Sequence, residues 1–265
     1  MRKMLLFGLL ILFISSGCSS YSIVSRKLNQ QIKIDGKLND WNGKLKYFKD
    51  EKIAVGVLND PDNLYLSLST ADKGNIIKIL KMGFTIWFEP GNEKGETIGI
   101  QYPIKKERAT PERFVKSNRN PSGGKIIEKM INNIKLNNSE YLVINDDNFP
   151  LGAYSLTDKN RVKIGLGYNA GKLVYEMKIP KQGDKYFPIN LTSIGNGIVT
   201  LKFTSIKPNR PTTNRAEGSP RRDGIGGRTG GMQRGRGQRP NGMPRSGNPN
   251  FTSPIDFEIK VTLSR

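Results

Sequence analysis

The only cysteine of the chain, Cys18, is the residue whose chemistry is easiest to assign. It follows small residues at 15–17 and an apolar run at 4–14. Basic residues at the start, a short apolar run and small residues before a cleavage point are typical of a secretory signal, and the run is too short to span a bilayer. A lone cysteine in an exported chain has no disulfide partner, so we expect it to carry lipid.

Residues 15–18 resemble the lipobox of bacterial lipoproteins, although Ser15 stands where leucine is usual. The resemblance implies a signal peptide at 1–17, diacylation of Cys18, a membrane anchor through that lipid, and a polar tether at 18–30. Ser19 replaces the aspartate that often retains lipoproteins at the inner membrane, which favours the periplasmic face of an outer membrane. The alternative is an ordinary signal peptide with an incidental cysteine.

Catalytic groups are scarce. The sequence has no histidine, which removes the commonest general base and every Ser/His/Asp or Cys/His arrangement. Glu89, Glu93 and Glu96 cluster beside a strand, and paired carboxylates can hydrolyse glycosides. Their turn is rich in lysine and glycine, as solvated loops are, so we expect no enzyme. Some related sandwiches bind haem through methionine paired with histidine or lysine, and without histidine only a Met/Lys pair of axial ligands would be available here.

Two pairs of acidic residues are candidates for calcium, a hard cation that prefers oxygen ligands. They are Asp60 with Asp62, and Asp146 with Asp147. Neither pair has the spacing of a known calcium loop, and aspartate is favoured in turns for its own hydrogen bonds. We therefore expect turns here and no cofactor.

Aromatic rings are candidates for stacking on sugars. Alternation along Phe84–Phe88 places Phe84, Ile86 and Phe88 on one face of a strand and Thr85 and Trp87 on the other. If the first face is core, Trp87 points outward into a groove, and the reverse assignment would bury it. The further candidates for glycan contact are Tyr102, Tyr154 and Tyr168.

The segment at 207–250 concentrates positive charge. It contains ten basic and two acidic residues, a net charge of +8, and nine of the ten are arginine. Arg-Gly runs are typical of RNA binding, but export argues against a nucleic-acid partner. We expect contact with an anionic envelope component, and a solubilising loop without a partner is the alternative. The candidate contacts are Arg221, Arg222, Arg228, Arg234, Arg236 and Arg239.

The elements that would position these residues are mostly strands. Alternating or apolar runs separated by turn residues predict hairpins at 53–69, 82–102 and 162–180, with a first strand at 31–35. One helix is predicted at 125–136 from apolar residues at helical spacing. Frequent short strands and turns predict an all-β, antiparallel β-sandwich with one short helix, spanning residues 31–265.

The basic segment interrupts this sandwich. Residues 207–250 have almost no apolar side chains, so they cannot offset the entropy of ordering, and we predict a long disordered Gly/Arg/Pro-rich insertion. The flanking runs at 198–206 and 255–263 alternate as strands, and we expect them to pair directly.

Four motifs together resemble family 9 carbohydrate-binding modules. They are the Ile-Asp-Gly turn leading to a tryptophan at 34–41, the hairpin at 57–66, and the strands at 83–90 and 173–180. The resemblance spans roughly residues 31–206 and 255–263 and implies a β-sandwich of the carbohydrate-binding type. Members of the family clamp sugar between two tryptophans, and this chain has only Trp41 and Trp87.

The turn of the first motif reads as structural. Gly36 allows a positive φ, Asp35 can accept a hydrogen bond from the backbone after it, and Trp41 offers a large apolar surface to the core. The sequence thus predicts a lipid-anchored, non-catalytic envelope sandwich that binds a polysaccharide. The alternatives are an envelope structural or adaptor protein that uses its basic loop, and a haem-binding or enzyme-accessory domain.

Overall fold

A computed structural model describes most of the chain. The described residues are 21–28, 30–91, 96–105, 123–184, 187–191, 197–206 and 253–264. The predicted signal peptide at 1–17, Cys18 and the basic segment at 207–250, with its six candidate arginines, lie outside these ranges. Glu93 also lies outside them.

Within the described ranges, the chain forms fifteen strands and two α-helices. The strands are β1 Tyr21–Val24, β2 Arg26–Lys27, β3 Lys46–Phe48, β4 Ile53–Asn59, β5 Asn63–Thr70, β6 Phe84–Pro90, β7 Ile98–Gln101, β8 Glu140–Asn145, β9 Pro150–Ser155, β10 Lys163–Asn169, β11 Lys172–Pro180, β12 Gln182–Asp184, β13 Phe187–Asn190, β14 Ile198–Ser205 and β15 Asp256–Thr262. The helices are α1 Lys73–Met82 and α2 Gly123–Asn137.

Two sheets form a sandwich, as the sequence predicts. The seven-stranded sheet has the order β1-β15-β14-β6-β7-β8-β9, and the six-stranded sheet has the order β10-β11-β5-β4, with β2 and β3 both paired to β4. Strands β12 and β13 form a separate hairpin. The prediction of antiparallel sheets needs a correction, because β1 runs parallel to β15 and β2 runs parallel to β4.

The core lies between the two sheets and follows the alternation of the strands. Leu64, Leu66 and Leu68 of β5 are at most 1% exposed, and Phe84, Ile86 and Phe88 of β6 are fully buried. Inward residues at every second position are the expected result of the two-residue period of a strand. The opposite positions of both strands therefore form the outer faces of the sandwich.

The strands on either side of the basic insertion pair directly, which confirms the prediction. β14 and β15 are antiparallel neighbours, with Leu201 opposite Ile259. At the end of this pair the backbone N–H of Ser205 donates to the carbonyl of Ile255 at 3.0 Å, and the N–H of Ile255 donates to Ser205 Oγ at 2.8 Å. The two strands are thus hydrogen-bonded to each other at the end from which the insertion extends.

The predicted helix is found as α2, which buries Ile127, Ile131 and Ile134. The prediction of a single helix is wrong, because α1 covers residues 73–82, and its last residue is also the first residue of the hairpin predicted at 82–102. Asp72 caps α1 by accepting the N–H of Asn75 at 3.0 Å. The helix is short and lies between two strong strand patterns, so its own pattern is difficult to recognise in the sequence.

The N-terminal segment belongs to the sandwich rather than to a tether. Residues 21–27, assigned above to the tether at 18–30, form β1 and β2 and pass from one sheet to the other. Buried Ser25 fixes the crossing: its Oγ donates to Asn59 Oδ1 at 2.5 Å and accepts the N–H of Ser264 at 2.8 Å. The strand predicted at 31–35 is absent from the described fold at those positions.

Residues 31–45 instead cover the outer face of the six-stranded sheet. Ile32, Trp41, Leu58 and Tyr65 form a second small apolar cluster there. Trp41, on the short 3₁₀ turn Asn39–Trp41, is only 1% exposed. The segment therefore packs against this sheet as part of the core, and it shields the positions of Leu58 and Tyr65 from solvent.

A buried carboxylate holds this cover in place. Glu176, in the middle of β11, is fully buried on the outer face. Its Oε2 accepts the N–H groups of Asp35 at 2.9 Å and Gly36 at 2.5 Å, and its Oε1 accepts Trp41 Nε1–H at 2.6 Å. Burial raises the pKa of Glu176, and these three hydrogen bonds oppose the rise.

Glycines let the turn approach the sheet this closely. Gly165 lies opposite Glu176 in the β10–β11 pair. A Cβ on Gly167 would overlap the carbonyl of Gly36, and a Cβ on Gly36 would lie 2.5 Å from the Leu166 backbone. Gly36 also has a φ of +80°, which side-chain-bearing residues rarely adopt. Three glycines thus meet where a side chain would separate the cover from the sheet.

We expect Glu176→Ala to lower the free energy of unfolding by about 3 kcal/mol, because three buried donors lose their acceptor together. Urea unfolding of the variant measures the loss. Glu140→Ala is the matched control, since Glu140 is exposed at the start of β8, and it should change stability by less than about 0.5 kcal/mol. Equal stability of the two variants would contradict the role assigned to Glu176.

Candidate functional site

A groove of about 560 Å³ crosses the outer face of the seven-stranded sheet. Strands β14, β6, β7 and β8 supply most of its wall. The lining residues are Thr85, Trp87, Glu89, Thr97, Gln101, Leu142, Ile144, Asp146, Asn148, Pro150, Lys202, Thr204, Ser205 and Ile206. On the opposite side of the sandwich, the cover held by Glu176 occupies the outer face.

The indole of Trp87 lies across the centre of this groove. Trp87 is paired with Lys202 on one side and with Gly99 on the other. A Cβ on Gly99 would lie 2.8 Å from Trp87 Cε3 and 2.8 Å from Ile144 Cγ1. The ring therefore occupies the space above a residue without a side chain, and it lies along the sheet surface.

Trp87 is held firmly in this position. Its Nε1–H donates to Thr204 Oγ1 at 3.0 Å. Only 8% of its surface is exposed, so the groove reaches a limited part of the ring. Trp87 does face outward, opposite to the core residues of β6, and it forms part of the groove floor.

Polar side chains flank the indole along the strands. On one side, Gln101 Nε2 donates to Thr85 Oγ1 at 3.3 Å. On the other side, Phe88 is paired with Ile98 and Ile98 with Asn145. The residues adjacent to these three in the chain are Glu89 of β6, Thr97 just before β7 and Asp146 just after β8. Polar groups thus lie on both sides of an apolar centre.

The structure does not bring the predicted tyrosines to the groove. Tyr102 is 2% exposed, donates to the carbonyl of Asn138 at 3.4 Å, and has its pKa raised to about 12 by burial. Tyr154 packs against Tyr141 with the ring centroids 5.8 Å apart, beneath Arg161. Tyr168 packs against the core and lies near Gly124 of α2. All three serve packing, so Trp87 alone of the four candidates lines the groove.

The two tryptophans also lie apart. Trp41 belongs to the cluster on the six-stranded sheet, while Trp87 lies on the outer face of the other sheet. Asp35 Oδ1 accepts the N–H of Lys37 at 3.0 Å, the local hydrogen bond expected for this turn. Trp41, Asp35 and Gly36 thus hold the cover in place, and no two-tryptophan clamp is assembled.

Several groove residues were missed by sequence reasoning, among them Gln101, Thr204 and Lys202. Alternation alone identifies each of them as an outward position. Their proximity depends on β14 pairing with β6, strands that are more than a hundred residues apart in the chain. No local sequence pattern predicts that pairing.

The carboxylates considered for calcium are not grouped as ligands of one ion. Asp60 accepts hydrogen bonds from Tyr65 Oη at 2.7 Å and from the N–H groups of Asn63 at 2.5 Å and Asp62 at 2.8 Å. Asp146 lines the groove. In the part of the chain that the structure describes, no three His, Cys, Asp or Glu residues are grouped as a metal site would require.

No helix within the described ranges combines the length and the apolar character needed to cross a membrane.

Comparison with known proteins gives a limited result. No protein-family model and no curated protein matches this chain. Among solved structures, it is similar to a family 9 carbohydrate-binding module from Caldicellulosiruptor kristjanssonii in complex with glucose, with a TM-score of 0.32, 11% identity, and coverage of 69% of this chain and 75% of that chain. The complex with cellotriose matches with a TM-score of 0.30, the same identity and the same coverage. The family indicated by the sequence motifs is also the family of these two structures.

The Asp60 turn gives a prediction for pH. Burial alone would raise the pKa of Asp60, but the hydrogen bonds from Tyr65, Asn63 and Asp62 together lower it below 3.8. Asp60 therefore stabilises the fold above about pH 4, and this contribution is lost as the pH falls through the folded-state pKa.

We expect Asp60→Asn to be about 1 kcal/mol less stable than the wild type at pH 7, with the gap shrinking as the pH falls below 4. Urea unfolding between pH 3 and pH 7 measures the gap. Asp147→Asn, in an exposed turn, is the control. A gap that stays constant with pH would contradict the assignment.

Proposed function

We propose that this chain is a lipid-anchored, non-catalytic protein of the cell envelope that binds a glycan in the groove on its seven-stranded sheet. The observation that carries the proposal is the groove itself, about 560 Å³ in volume, with an indole floor and a polar rim. Binding sites for organic ligands usually have volumes of roughly 300–1,000 Å³ and combine apolar walls with a few placed polar groups.

The apolar centre suits the C–H faces of a pyranose ring. Trp87, Ile144 and Pro150 lie in one cross-strand row at the centre and one wall of the groove, with Gly99 between Trp87 and Ile144. Because the Trp87 indole is hydrogen-bonded to Thr204 and packed over Gly99, little side-chain entropy would be lost when a ligand is bound.

The rim suits sugar hydroxyls, which both donate and accept hydrogen bonds. Thr204 Oγ1 accepts from Trp87, which leaves its own hydroxyl hydrogen available to a ligand. Gln101 donates one hydrogen to Thr85, which leaves its carbonyl oxygen as an acceptor. The groove therefore offers both kinds of partner within reach of one ring.

We expect Trp87→Ala to weaken glycan binding at least tenfold, because it removes the floor of the groove. A glycan array probed with residues 19–265 identifies the ligand, and calorimetry measures the change. Since Trp87 is largely buried, Gln101→Ala serves as a second variant that leaves the floor intact and should weaken binding severalfold.

The matched control is Tyr47→Ala, which removes an aromatic ring that is 61% exposed on the other sheet. It should bind as the wild type does. The proposal fails if no neutral or charged glycan binds, or if Trp87→Ala and Gln101→Ala leave binding unchanged while both remain folded.

A second contact is proposed for the basic insertion. Ser205 and Ile255, on either side of this segment, are hydrogen-bonded to each other, so the segment with its +8 charge is joined to the sandwich at one place. Attraction of a basic segment to an anionic membrane surface is worth about 1 kcal/mol per residue that reaches it. Together with lipid on Cys18, this would hold the domain against the periplasmic face of an outer membrane.

We expect a high-salt wash to distinguish attachment through lipid on Cys18 from electrostatic attachment through the basic insertion. In cells that process lipoproteins, the full chain should remain in the membrane fraction after a high-salt wash, while Cys18→Ser should be released by it. Deleting residues 208–250 from Cys18→Ser should abolish the remaining low-salt association. Membrane binding that survives both changes at low salt, or a mature N-terminus without lipid by mass spectrometry, would contradict this part.

A further inference from the structure

The charge of the groove is opposite to that of the protein. The chain has a formal net charge of +20. Among the described residues that line the groove, Glu89 and Asp146 are acidic and Lys202 is the one base. Lys202 Nζ lies 4.0 Å from Asp256 Oδ1 of the neighbouring strand, so its charge is partly compensated. The described lining thus carries two negative charges and one positive charge on a strongly basic protein, and the positive charge is that of Lys202, opposite Trp87 in the β14–β6 pair.

The two carboxylates have a defined relation to the indole. Glu89 lies on β6, two residues from Trp87 and on the same face, and Asp146 lies in the exposed turn that follows β8. Two residues of strand place Glu89 about 7 Å along β6 from Trp87, and both carboxylates line the groove. A sugar ring seated over Trp87 would therefore direct a substituent towards these carboxylates.

A primary ammonium group is the substituent that this arrangement favours. It would be attracted by both carboxylates, and its three N–H donors match their oxygen atoms. The face of an indole also attracts cations. An acetamide in the same position has no charge, and a uronate would be repelled by Glu89 and Asp146.

We propose that the groove, whose role in binding rests on the function proposed above, selects saccharides that carry free ammonium groups, that is, hexosamines that are not N-acetylated. Selection operates through Glu89 and Asp146, while Trp87 supplies the surface common to all the saccharides.

The test compares four tetramers by calorimetry at a pH where the amines are protonated. They are a glucosamine tetramer, an N-acetylglucosamine tetramer, a glucose tetramer and tetralysine. The full mature chain is used with and without the double variant Glu89→Gln, Asp146→Asn. The matched control is Glu128→Gln, Glu140→Gln, which removes two exposed carboxylates outside the groove.

We expect the glucosamine tetramer to bind the wild type at least tenfold more tightly than the acetylated and neutral tetramers. The groove variant should lose this preference but retain the weaker binding of neutral sugar, and the control should keep the preference. Tetralysine should bind weakly, since it lacks a ring for the indole.

Distinct outcomes separate the two proposals. Three results would overturn the inference without refuting the glycan proposal. These are equal binding of the three saccharides, a preference for the glucosamine tetramer that persists in the groove variant, and tetralysine binding as tight as that of the glucosamine tetramer. Preference for an acidic saccharide in a parallel titration would also overturn it. Absence of binding by these three saccharides and by every glycan of the array would defeat the proposed function itself.

Discussion

The carboxylate of Glu176 is the interaction on which the arrangement of the molecule depends. A charged group in the middle of a buried strand is costly unless donors surround it. Here the donors come from Asp35, Gly36 and Trp41, a segment far away in the sequence. Satisfying Glu176 therefore requires the segment to fold over the six-stranded sheet. That sheet is covered on both faces as a result, and the open outer face belongs to the seven-stranded sheet.

Both tryptophans pack over a glycine, but their indole N–H groups donate to different acceptors. Each indole lies over a glycine of a neighbouring strand: a Cβ on Gly56 would lie 3.2 Å from Trp41, and one on Gly99 would lie 2.8 Å from Trp87. Glycine within a strand often marks such a close approach. Trp41 then donates to the buried carboxylate of Glu176 and is 1% exposed, whereas Trp87 donates to Thr204 Oγ1 in the groove and is 8% exposed.

The sequence predicts what is local in this fold. Hairpins such as β4–β5 and β10–β11 are visible because turn residues separate two alternating runs, and the core face of β6 follows from its period of two. Even the β14–β15 pair can be predicted, since two alternating runs flank a segment that cannot form a core. Helix α1 and strands β1 and β2 are too short or too polar to be recognised. The groove is missed in part because Lys202 and Thr204 reach Trp87 only through a pairing between distant strands.

The charge distribution follows from the same topology. The chain enters the +8 insertion directly after Ile206, a groove residue that is 40% exposed. Glu89, in contrast, is paired with Thr200 near the start of β14. The strand from Thr200 to Ile206 is roughly 20 Å long, and in physiological salt interactions between exposed charges decay over roughly 8 Å. The carboxylate of Glu89 is therefore well separated from the point where the basic segment begins. Contact with the envelope would then leave Glu89 and Asp146 free for a ligand of opposite charge, and the two binding roles would support each other.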